Sequence, residues 1–476
     1  MQKGLGIAGI AGFVLATVLV GWLSGRLDQR IFDDEAMSLA AIDGKSYAAI
    51  AAFYLQGGDV HPPLPFLWLR LMQDLQFPLW LQRLLALAGA AAGFALVLDL
   101  VWRRRAERAI RIAAVVLFLG APLLYGMGAS LRWYPLLVPP VALALWSMER
   151  AGRPTLLAAI GFGLAANISF LAAIPATAYG IWRYLIVRRF EAASDGPFIA
   201  VAAVIALPAL IAFVAALGHL PAQADSNVLV ALGTTALGVL GGYGLGLTHS
   251  FIAIPLALLL LAGLVAAAVA VWRSPADGLP AMSLLVLLLC LALTLTGFAK
   301  PRSFLFAVPF LLAAAVLGGT RLGRWHAPAL AAAGLGVVLA SLWLLNASDR
   351  PFKRNLHIPD EPVLAMIRQH ASRGTALIVS SDPSLGWRLR QEGYCVIAAS
   401  LPGGCERATA PVVVTIDDGT FTQRPGFSAN LGRISSQHRL VQQRVFGDDE
   451  DGPTKTFLAG RLVPKFLVSV AVYSRD

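Results

Sequence analysis

Charge is what this sequence is short of. Of 476 residues, 38 are Lys or Arg and 27 are Asp or Glu, which is 14% in all. A soluble globular chain carries roughly 25%. With 57% apolar residues and a mean hydropathy of +0.70, the shortage excludes an ordinary soluble domain. A dense Lys/Arg run with interleaved aromatics is also missing, so the net charge of +11 does not read as a nucleic-acid footprint. No H-E-x-x-H spacing is present, and no G-x-G-x-x-G follows the first strand-like run of the C-terminal part, so neither that zinc motif nor a dinucleotide site is indicated. Cysteine is scarce, with three residues. Cys290 lies in an apolar run and reads as a small core residue. Cys395 and Cys405 flank "VIAASLPGG". If that part of the chain is exported, the pair is expected to form a disulfide; the alternative is two thiols too far apart to bridge.

What is abundant is long apolar stretches, and about 20 such residues span a bilayer. Eleven candidate spans are read, near 5–24, 79–101, 109–125, 133–148, 154–171, 172–187, 197–217, 250–272, 280–298, 303–320 and 327–345. The first is long and is followed by "SGRLDQR" rather than an A-x-A site, so it reads as an uncleaved span. The arginines sort by side. With the N-terminus in the cytoplasm, 14 of the 22 Lys and Arg in residues 1–345 fall in cytoplasmic connections such as "RRRAERAIR", as the positive-inside rule requires. An odd count then puts the C-terminus outside. In a bacterial inner membrane that side is the periplasm.

The reading therefore has two domains. Residues 1–345 form a membrane domain with outer loops at 25–78 and 218–249. Residues 346–476 alternate helix and strand patterns, such as "ALIVS", "CVIAA" and "VVVTI", and read as a small periplasmic α/β domain.

Within loop 25–78, "KSYAAIAAFYLQG" and "PPLPFLWLRLMQ" read as short interfacial helices. The same loop holds seven of the 14 acids of residues 1–345, including "DDE" at 33–35. A carboxylate there can cap a helix, act as a base or bind a metal. Further on stands "GDVHPPL". His-Pro-Pro makes a stiff corner, since each proline fixes φ and holds the residue before it extended.

"DDE" and "DVHPPL" in one outer loop after the first span resemble the GT-C membrane glycosyltransferases. These include the protein O-mannosyltransferases, the bacterial aminoarabinose transferases and the RgtA/B/C/D-like branch. The likeness covers residues 5–150 best. "LQRLLALAG" at Arg83 and "KPRSFLFAVPF" extend it, whereas an inserted β-trefoil domain is absent from the sequence, which favours the smaller bacterial branch. The resemblance implies a mostly α polytopic fold and a polyprenyl-phosphate sugar donor carried on undecaprenyl phosphate. It implies Asp34 as catalytic base, with Glu35 as its partner, and carries Asp59 and His61 over as the second motif.

An inverting transfer needs one base and cations for the leaving phosphate. Arg132, Lys300 and Arg302 stand at outer ends of spans and are candidates to hold it; headgroup anchoring is the alternative. Tyr134 reads as interfacial packing. Some relatives hold a divalent metal, so Mg or Mn is a candidate cofactor, with Glu35, His61 and His249 as candidate ligands. The acceptor is a lipid, a polysaccharide or a protein. The rival readings are a transporter or flippase of lipid-linked sugars and a non-catalytic assembly protein.

Overall fold

The computed structural model describes residues 4–28, 31, 33–105, 107–217, 250–295, 301–323, 325–346, 360–398, 405, 410–417, 437–447 and 467–475. The chain is mostly helical and divides into two compact units. One comprises residues 1–28 and 45–348, and the other residues 29–44 and 349–476.

The first unit begins with α1 (Gly6–Leu23), and α3 (Tyr47–Leu55) and α4 (Leu64–Asp74) follow in the segment 45–78. The longest helix, α5 (Leu79–Arg104), is buried along most of its length, with small residues where another helix must come close. A Cβ on Gly93 would lie 2.8 Å from Val138, so glycine lets α8 (Trp133–Ala151) pack directly against α5. The two run parallel: Trp146 of α8 donates to Asp99 of α5 at 2.9 Å.

Between them lie α6 (Arg108–Leu119) and α7 (Pro122–Gly128), split at Gly120-Ala121-Pro122, because proline starts a helix well but cannot continue one. Then come α9 (Leu156–Ile168), α10 (Ala173–Gly180) and α11 (Ala192–Ala216). The unit continues with α12 (Ser250–Arg273), α13 (Gly278–Leu295), a 3-10 turn at Pro301–Ala307, α14 (Val308–Gly319) and α15 (His326–Asn346).

Among the described residues four helical stretches are long and apolar enough to cross a membrane: Gly6–Leu23, Leu79–Arg104, Ala192–Ala216 and Pro255–Arg273. Four further apolar stretches are shorter: Leu156–Ile168, Phe170–Ile186, Gly278–Thr294 and Ser303–Gly319. The expected spans 154–171 and 172–187 become α9, a 3-10 turn at Phe170–Ala172, α10 and a π-helical turn at Ile181–Ile186. A direct count of eleven full-length helices does not emerge.

The second unit is an α/β layer. Its sheet holds β1 (Ala376–Ser380), β2 (Cys395–Ala398), β3 (Val412–Asp417), β4 (Arg439–Gly447) and β5 (Leu467–Ser474), in the order β2-β1-β3-β5-β4. The three strands β2, β1 and β3 are parallel, whereas β5 is antiparallel to both β3 and β4. Two helices serve it, α16 (Asp360–His370) and α17 (Pro383–Gln391). Asp382 caps α17, its carboxylate accepting from the Leu385 amide at 2.8 Å. Cys395 and Cys405 are joined by a disulfide, with Cα atoms 5.4 Å apart.

A third helix of this unit comes from far upstream. It is α2 (Asp33–Ile42), which carries "DDE". Ala40 belongs to the same apolar core as Val363, Ile367, Leu385, Val414 and Val470, and Met37 packs on that core. Met37 and Ala40 are one helical turn apart and so share a face. The Ser384 hydroxyl donates to the Ile31 carbonyl at 2.6 Å, and Gln391 donates to Asp43 at 3.4 Å. A segment between the first two apolar runs thus contributes to the core built by the last third of the chain.

Candidate active site

In the first unit the corner after α3 is tightly specified. Gly57 has φ +78°, and a Cβ there would lie 2.5 Å from the Ala215 carbonyl oxygen. Only glycine meets both conditions without strain. Beyond it, the Asp59 carboxylate and His61 Nδ1 are 2.9 Å apart and hydrogen-bonded. With Nδ1 donating, His61 keeps Nε2 available for another group. Pro62 and Pro63 then open α4, with Pro63 at its N-cap.

Aromatic rings fix this corner from two sides. Phe66 stacks on Tyr54, centroids 4.0 Å apart and planes at 17°. On the other side His61 lies 5.8 Å from the Trp133 ring. Trp133 follows Arg132, the N-cap residue of α8. The structure therefore brings Asp59, His61 and Arg132 into one cluster.

Electrostatics fits that grouping. Partial burial would raise the Asp59 carboxyl, but the His61 hydrogen bond, the His61 charge and the nearby Arg132 guanidinium outweigh it and hold Asp59 below the ordinary aspartate value. Asp59 is thus a settled anion and a poor proton acceptor. Burial, with Asp59 nearby, pushes the Tyr54 phenol well above its ordinary value, so it stays a neutral donor.

Three buried donors around this cluster have no hydrogen-bond partner among the described residues: the Tyr54 hydroxyl, the Ser130 hydroxyl and the Trp133 indole N–H. Buried donors are normally paired. Three orphans within a few residues of Asp59, His61 and Arg132 mark a place where an acceptor-rich group belongs. Sequence reasoning missed all three, because a tyrosine and a tryptophan in apolar helices look like packing. Tyr134, read as packing, is buried. Arg26 and Arg83 are deeply buried as well, and each has polar partners.

Asp34 and Glu35 sit on α2 in the second unit, where Glu35 is buried and Asp34 is partly so. The Ser38 hydroxyl donates to the Asp34 backbone carbonyl at 3.0 Å, one turn earlier on the same helix. Arg302 lies in the 3-10 turn at Pro301–Ala307. Lys300 and His249 fall outside the described residues. Among the described residues no three His, Cys, Asp or Glu side chains are grouped to hold a metal ion, so Glu35 and His61 do not by themselves make a metal centre.

No family model matches the chain, and no curated protein matches its sequence. A solved structure does. ArnT from Cupriavidus metallidurans bound to undecaprenyl phosphate superposes with a TM-score of 0.56 at 14% identity, over 98% of this chain and 98% of that one. At that identity the likeness is one of fold, and it runs the length of both molecules: the chain has the polytopic GT-C fold that the two motifs of its first outer loop imply.

Proposed function

We propose that the chain is an inverting glycosyltransferase that moves a sugar from a polyprenyl-phosphate carrier to an acceptor hydroxyl at the outer face of the bacterial inner membrane. The observation that carries this reading is the set of orphaned donors, Tyr54, Ser130 and Trp133, around the Asp59–His61 pair and Arg132. Donors without an internal acceptor, set beside a guanidinium, suit a phosphate. The undecaprenyl phosphate bound to ArnT supports the same carrier here. Lys300 and Arg302 are assigned to the same phosphate on their chemistry alone.

In the reaction the acceptor oxygen attacks the anomeric carbon from the face opposite the phosphate. The C–O bond to the acceptor forms as the bond to the phosphate oxygen breaks. The phosphate leaves with the bonding pair, and the hydroxyl proton passes to Asp34. Asp59, held as an anion by His61 and Arg132, is unsuited to that role, which leaves the acids of α2. Glu35 positions Asp34. Glu35, His61 and His249 are the residues that would hold a divalent metal, Mg or Mn. The membrane domain at 1–345 crosses the bilayer eleven times, with the N-terminus cytoplasmic and the domain at 346–476 periplasmic.

The test is reconstitution with undecaprenyl-phosphate sugars and measurement of released undecaprenyl phosphate. Asp34→Asn is expected to lower the rate by about a thousandfold, within the span that a lost general base costs. Equal release by wild type and variant would sink the assignment of Asp34. Movement of intact donor between leaflets with no release by either would favour a flippase.

A further inference from the structure

At the end of the first unit opposite the Asp59 cluster there is a cavity of about 230 Å³. It lies where α5, α12, α13 and α14 end or begin, and its polar lining is Arg104, Arg105, Arg321 and Asp277. A Cβ on Gly318 of α14 would stand 2.1 Å from the Gly263 carbonyl oxygen of α12, and one on Gly263 would stand 2.4 Å from that of Ala315. The two backbones touch, so α12 and α14 are sealed against each other beside this cup.

The charges in the cup do not balance. Arg104 is engaged by Glu149 and Asp277, which leaves no acid of the cup for the other two arginines. Arg105 donates through Nη2 to the Leu317 carbonyl at 3.3 Å, and its buried Nε has no partner among the described residues. Arg321 is exposed at the rim. Two guanidinium forks beside a cup with room for roughly eight waters suit a phosphodiester, which accepts bidentate arginine bonds.

The surroundings point to a lipid as its source. On α12 the exposed residues Leu258, Leu261, Val265, Val269 and Trp272 recur every three or four positions and form one apolar stripe. The stripe descends to the level of Ala270, a wall of the cup. It ends in Trp272, 89% exposed, where an interfacial tryptophan belongs. Basic pockets between spans are known to seat anionic headgroups.

We propose that this cup binds the phosphate of an anionic phospholipid through Arg105 and Arg321, with the acyl chains along the α12 stripe. The test titrates the full-length protein in mild detergent with dioleoylphosphatidylglycerol, dioleoylphosphatidylcholine or inorganic phosphate. Retained lipid is counted by native mass spectrometry and the thermal midpoint is followed. Phosphatidylglycerol is expected to be retained and to raise the midpoint, while phosphatidylcholine and inorganic phosphate do neither.

The double substitution Arg105→Gln with Arg321→Gln is expected to weaken phosphatidylglycerol binding at least tenfold. Arg321→Gln alone alters an exposed side chain and is expected to fold normally and bind several-fold more weakly. Arg273→Gln, at the same end but outside the cup, is expected to match wild type. Unchanged affinity in both cup variants would overturn the proposal. So would an equal drop in Arg273→Gln, which would mean diffuse surface charge, or an equal shift from inorganic phosphate, which would mean a soluble ligand.

Discussion

The two ends of the first unit hold their buried acids and donors differently. At the arginine-rich end two buried carboxylates are saturated. Asp195, fully buried, accepts from Arg183 twice, at 2.9 and 3.0 Å, from the Tyr184 hydroxyl at 2.8 Å and from the Glu191 amide at 2.7 Å. Asp99 accepts from Arg103, Trp146 and the Leu5 amide. At the other end, around Asp59 and His61, three buried donors stand without a partner among the described residues. A fully satisfied network stabilises its own fold, whereas an unsatisfied one costs stability and is kept for something that arrives later. The arginine-rich end has atoms unpartnered among the described residues as well, the Ser283 hydroxyl, His326 Nε2 and Arg105 Nε, and the cup is singled out by having two arginines with no acid of its lining left to pair them.

That contrast can be broken by experiment. The largest expected effect is at the arginine-rich end. Asp195→Ala strands Arg183 as a buried unpaired charge and is expected to cost about 3–5 kcal/mol, read as a fall in thermal midpoint, with the rate per folded molecule unchanged. A variant that folds as well as wild type yet no longer transfers sugar would erase the distinction.

Tyr54→Phe should do the reverse. It removes a hydroxyl with no internal partner, so the midpoint should hold while sugar transfer falls about tenfold, roughly 1.4 kcal/mol of barrier. Lost stability with an unchanged rate would place Tyr54 among the structural groups.

The smallest effect is in pH. Asp59 is held below its ordinary value of 3.8. Its contribution to stability is therefore complete above that value and is lost as pH falls through the lower folded one. The gap in midpoint between wild type and Asp59→Asn should be flat near neutrality and close only in acid. A gap that changes near pH 7 would mean a different partner for Asp59.

Much of this was legible locally. The helices α3 and α4, the strands β1 to β5 and the cap at Asp382 follow from patterns a few residues long, as does the corner at His-Pro-Pro. Helix breaks at Pro122 and Ser169 were less visible, since the residues around them are uniformly apolar. The orphaned donors could not be foreseen at all: whether Tyr54 or Trp133 has a partner depends on neighbours far along the chain. The place of α2 was hidden for the same reason. Its own sequence is merely amphipathic, and nothing in it names β1, β3 or α17 as the surface it covers.

Ile31 and Ser384, which share a hydrogen bond, are 353 positions apart. Closing a loop of that length carries a large entropic cost before any contact compensates it, and contacts so remote in sequence form slowly. During synthesis at roughly 5–20 residues per second, the segment bearing Asp34 is therefore made well before its core partners exist, and it waits tens of seconds for them. Asp34 and Glu35 would acquire their final setting only when the last strand of the sheet is in place, so a chain truncated before it would leave their helix without the core it packs on.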